Sequence, residues 1–117
     1  SMTYVLPRLI GLKRTKELMI TNRRFLPDEA LNIGMIDQIV SHDELAKVSK
    51  DTAINLANGA TKAYGAVKRL LAETFSSSLE SHLEQEARQL NIRAQSSDGK
   101  EGVKAFIEKR KANFTGK

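Results

Sequence analysis

The chain has 117 residues, 40% of them hydrophobic and 28% charged, which fits a single soluble domain with only a modest core. It carries no cysteine, so disulfides and thiolate chemistry are excluded, and no apolar run approaches the length of a membrane span. Nineteen basic against fourteen acidic side chains leave a net charge of +5, a mild lean toward phosphate-bearing partners that identifies none by itself.

The start of the chain, Ser1-Met2-Thr3, lacks the apolar core of a secretion signal, and residues 1–2 read as a cloning scar. An intracellular location is expected, in the cytoplasm or a mitochondrial matrix. Residues 4–20 hold two apolar groups, Val5, Leu6, Leu9 and Ile10, then Leu12, Leu18 and Met19, punctuated by Pro7 and Gly11. This pattern predicts a helical turn, a break near Gly11 and a helix to about Ile20. Asn22-Arg23-Arg24-Phe25 is a polar connector, after which Pro27 opens a short helix that Gly34 closes. The β-branched run from Met35 to Val40 predicts one short strand, and a lone strand needs a neighbour that the chain does not clearly supply.

From Ser41 onward the pattern is helical. Ser41 with Glu44 forms a capping box, and Leu45, Val48, Thr52 and Leu56 lie on one face of a helix ending at Asn58-Gly59. Ala63, Ala66, Val67, Leu70 and Leu71 give the clearest amphipathic signal. Phe75 and three serines interrupt it, and Ser77 with Glu80 is expected to cap a longer helix whose stripe is Leu79, Leu83, Ala87, Leu90 and Ala94. After Gln95-Ser96-Ser97, Asp98 and Glu101 form another capping-box pattern, and residues 98–117 read as one basic terminal helix. Its apolar stripe is Val103, Phe106 and Ile107, with Phe106 expected in the core.

Side chains for chemistry are sparse. His42 and His82 stand apart, with no metal-ligand spacing to another histidine or carboxylate, and read as surface residues. Glu80, Glu84 and Glu86 occupy an exposed helix face where Glu84 and Arg88 form an ordinary i, i+4 pair. The seven glycines are scattered and build no phosphate-cradling loop, and the serines at 76–78 have no histidine nearby in sequence. Four Phe, two Tyr and no Trp leave few aromatics to interleave with basic positions, so nucleic acid is not an expected partner. No catalytic residue and no metal ligand can be assigned.

Set in order, the segments resemble the C-terminal part of the enoyl-CoA hydratase/isomerase (crotonase) superfamily from Thr3 to Lys117. T-Y-V-L-P-R-L-I-G is similar to the helix after that family's glycine-rich turn, and K-E-L-M-I-T-N-R-R-F to its KEL stretch. D-E-A-L-N-I-G-M-I-D-Q-I-V is similar to the segment leading into the last strand, and E-G-V-K-A-F-I-E-K-R-K-A-N-F to the closing helix. The resemblance implies a mainly α fold: a C-terminal, trimerisation-type helical region with one short strand. Residues 3–40 would end the crotonase core, and residues 41–117 would form the oligomerisation region.

The resemblance also implies roles. The C-terminal helices of family members build trimer contacts and complete an acyl-CoA pocket, without metal or redox cofactor; coenzyme A enters as part of the substrate. Lys109 matches a family lysine near the adenosine end of CoA, where a cation would meet phosphate. Leu90 falls where a hydratase can place an aromatic beside the adenine, and would pack there without stacking. The family's oxyanion-hole segment and its two catalytic acids map to no residue here, so the isolated chain is expected to be inactive. The parent reaction would be hydration of a 2-enoyl-CoA; double-bond isomerisation is the alternative, and a non-catalytic helical interaction module is the rival from another class.

Overall fold

A computed structural model describes all 117 residues, which form seven helices and no strand. Two compact units, Ser1–Ala46 and Lys47–Lys117, divide inside the fourth helix.

The first unit opens with α1 (Met2–Ile10) and α2 (Leu12–Thr21), separated by Gly11 at φ 83°, a left-handed conformation that suits glycine. Pro7, expected to punctuate the chain, lies inside α1, and the helix runs through it. Helical spacing places Leu6, Ile10 and Leu18 together as the buried core, with Phe25, Ile33 and Met35 packed against it. Thr15 is also buried, and its hydroxyl donates to the Gly11 carbonyl at 2.9 Å, so the break carries no unsatisfied hydroxyl. Asn22 closes α2 at φ 48°, and Pro27 starts α3 (Pro27–Asn32) as expected. Across the connector, the Arg23 guanidinium is gripped on both sides, by Glu17 from α2 and Glu29 from α3. Hydrogen bonds from Arg23 hold both carboxyls below their ordinary range.

The strand expected from Met35 to Val40 does not form. The N–H groups of Met35 and Ile36 turn back to the Ala30 carbonyl, at 2.9 and 3.4 Å, and the rest of the run is irregular. A strand is held by ladder bonds to a neighbour, and no neighbour exists here. The helical class holds without it.

At α4 (His42–Ala57) the helix starts where expected, but the Ser41 hydroxyl donates to Glu44 Oε2 at 2.6 Å in place of the side-chain-to-backbone bonds of the expected capping box. None of its residues is buried. The second unit is completed by α5 (Thr61–Glu73), α6 (Leu79–Gln95) and α7 (Ser97–Ile107), with α6 packed on both α5 and α7. The cap of α6 is Ser78, whose hydroxyl accepts from the Ser81 N–H, and not Ser77. The expected stripe on α6 exists but faces outward: Leu79, Leu83, Ala87, Leu90 and Ala94 are all exposed. The half-buried positions are His82, Gln85, Gln89 and Arg93. Small residues suffice for the inner contacts, since Ala66 of α5 and Ala105 of α7 are the buried apolar residues of this unit.

Candidate functional site

The C-terminal end of the second unit carries Lys109, one of the two residues singled out for a ligand, and its structure departs from the expected single helix. The α7 cap is Ser96, which accepts from the Gly99 N–H at 3.0 Å, two positions before the expected Asp98. Gly99 is obligatory there, because a Cβ on it would stand 2.1 Å from the Arg93 backbone carbonyl of α6. Asp98 is released from capping and is 6% exposed. Its carboxylate accepts from the backbone N–H of Thr115 at 2.7 Å and of Gly116 at 2.8 Å. The Thr115 N–H first, then Gly116, holds the Asp98 carboxyl below its ordinary value, against the opposing effect of burial.

The helix ends at Ile107, and residues 111–117 are not helical. Lys109 adopts φ 53° beyond the last turn, where its N–H donates to the Phe106 carbonyl and that of Arg110 to Ala105. These two bonds form a Schellman stop, with lysine in the left-handed position that glycine usually takes. Glu101, expected to complete a capping box, instead accepts two bonds from the Arg110 guanidinium and one from the Asn113 N–H. Arg110 before all, then that N–H, lowers the Glu101 carboxyl to about 2.

Lys109 therefore stands exposed on a fixed corner, beside an arginine committed to Glu101 and Glu108. Leu90 lies elsewhere on the unit. It lines a shallow groove of about 170 Å³ between α5 and α6, with Ala63, Ala66, Val67, Leu70, Glu86, Gln89 and Arg93. A larger cleft of about 380 Å³ is lined by Ala94, Lys100, Val103, Lys104, Ile107 and Glu108, combining an apolar floor with two lysines. Phe106, expected in the core, is 84% exposed on the same helix as Val103 and Ile107.

The remaining candidates are dispersed. His42 is exposed at the start of α4, whereas His82 is half-buried, correcting its reading as a surface residue, and its Nδ1 is enclosed without a partner. Arg93 Nε is likewise enclosed and unpartnered. Glu84 and Arg88 are exposed and do not form the expected pair. No three His, Asp or Glu side chains are gathered as metal ligands would be. No helix is long and apolar enough to cross a membrane.

The whole chain, residues 1–117, matches the family described as enoyl-CoA hydratase/isomerase. Among curated proteins, 1,2-epoxyphenylacetyl-CoA isomerase of Escherichia coli is 32% identical over 98% of this chain and 44% of its own length. Crotonyl-CoA hydratase of Syntrophomonas wolfei is 33% identical, with the same coverage of 98% and 44%. Among solved structures, an enoyl-CoA hydratase from Bacillus anthracis superposes with a TM-score of 0.86 at 30% identity, over 98% of this chain and 45% of that one. The chain thus spans less than half the length of the proteins it matches.

Proposed function

Since the chain belongs to the enoyl-CoA hydratase/isomerase family, we propose that it acts as the C-terminal helical region of such a protein, joining subunits and completing an acyl-CoA pocket. The observation that carries this reading is the outward apolar face of α6 and α7. Leu79, Leu83, Leu90, Val103, Phe106 and Ile107 are all at least half exposed, and side chains of this size on adjacent helices belong under a partner. Residues 41–117 supply the subunit contacts in this reading, and residues 3–40 pack against the part of the fold that the chain does not include. A trimer-type assembly with further copies is the expected partner set, with no nucleic acid and no membrane.

The parent reaction is the reversible addition of water to a 2-enoyl-CoA, with coenzyme A as part of the substrate and in an intracellular setting. Lys109 meets a CoA phosphate from its exposed corner, and Leu90 packs beside the adenine. Placed at the phosphate and the adenine, neither residue stands at the reacting thioester, so in this reading the chain contributes binding and assembly, and the chemistry rests on groups outside it. Light scattering should show the chain associating as its concentration rises; a monomer that persists at high concentration overturns the assembly role. Purified chain mixed with crotonyl-CoA should leave the conjugated enoyl absorbance unchanged, and measurable turnover would refute the division of labour.

A further inference from the structure

Beyond its corner at Lys109, the chain returns along α7 and is held there by two carboxylates of that helix. Asp98 and Glu101 are three residues apart and so lie on one face, one turn from each other. Glu101 takes the Asn113 N–H at 2.8 Å, and Asp98 takes the N–H groups of Thr115 and Gly116. The Asp98 N–H in turn donates to the Lys117 carbonyl at 3.0 Å, using one of the free donors of the helix start. Phe114 lies between the latched residues. Its ring would be 3.6 Å from a Cβ on Gly102, and it lines a cavity of about 320 Å³ that also meets Ala60, Ala63 and Arg93. The tail thus turns its amides to the acids and its aromatic ring to the slot.

We infer that residues 110–117 are a strap latched by Asp98, a separable closing element that seals the end of the second unit where the starts of α5 and α7 meet. Asp98 suits the latch because it is buried and both its oxygens bind backbone amides, with the Thr115 hydroxyl adding only a long bond at 3.4 Å, so its hold rests mainly on the strap's backbone. Glu101 pins the near end through Arg110, and Phe114 plugs the slot. Release would bare the slot and free the tail while α5 and α6 stay packed.

Amide exchange on the full chain, read residue by residue together with tryptic cleavage after Lys111, tests this. In the intact chain the amides of Asn113, Thr115 and Gly116 should be protected. Asp98→Asn leaves one accepting oxygen and presents an NH2 to an amide donor, so exchange at Thr115 and Gly116 should quicken by roughly tenfold or more. Cleavage after Lys111 should accelerate alongside, with α5 and α6 unchanged. Glu101→Gln should release Asn113 and leave Thr115 and Gly116 protected. Unchanged protection at Thr115 and Gly116 in Asp98→Asn would overturn the latch. Equal loosening of α5 and α6 would overturn the separable strap, as would Glu101→Gln releasing all three amides together.

Discussion

Gly99 and Glu101 show how single residues set this end of the molecule. At Gly99, α7 starts so close to α6 that even a methyl group would meet a backbone carbonyl, which has no rotamer with which to yield. Gly99→Ala should therefore destabilise the second unit by about 2 kcal/mol or more, read as a lower denaturant midpoint with an unchanged slope. Glu101 makes a prediction in pH. Its carboxyl faces Arg110, the Asn113 N–H and Lys104, and lies at about 2 in the folded chain against an ordinary 4.5. A folded value below the unfolded one adds stability that is fully present above about 4.5. That contribution is lost as pH falls toward 2, and Asp98, also lowered, acts in the same direction. Titration from pH 6 to 2 should lower the thermal midpoint, and Glu101→Gln should flatten the loss. The acid pair Asp98/Glu101 was legible as important, but its role was not. The run Ser96-Ser97-Asp98 offers three possible caps, and the donors that claim Asp98 lie 17 and 18 residues away, beyond any local pattern.

At the scale of the element, helices were legible because a 3.6-residue period writes itself into composition. What the period cannot tell is which side of a helix meets its neighbour. In α6 the apolar stripe faces out and His82, Gln85, Gln89 and Arg93 face in, because α5 and α7 offer mainly small side chains to pack against. The outer stripe is free to serve a partner. Leu83→Glu with Leu90→Glu should then leave helicity and the denaturation midpoint nearly unchanged, since both positions are exposed in the single chain, while weakening self-association at least tenfold in sedimentation. The Met35–Val40 run is the complementary case. Its β-branched residues suit a strand, but a strand is a property of two segments, and the missing neighbour that the sequence already pointed to decided against the local propensity.

The whole molecule exposes 9610 Å². A self-sufficient globular protein of 13.0 kDa would expose about 6,300 Å², and two separate domains of the sizes found here would still expose only about 7,600 Å². The excess matches the short roll of buried apolar residues, half of them alanine. Motif order indicated the family, and the comparisons bear that out over the full chain. The assembly and CoA roles could not be read with the same clarity, because subunit contacts and ligand pockets depend on surfaces that another polypeptide must present.

The Gly99 junction bears on how such a molecule can change over evolutionary time. There α6 and α7 meet backbone to backbone, with only a hydrogen atom between them and no side chain to alter the angle. Recognition, in the proposed assembly, falls instead to Leu83, Leu90, Val103 and Phe106, which are exposed on the outside. Geometry and recognition are thus written in different residues. The outer surface can be rewritten to suit a new companion while the bend beneath it keeps its form.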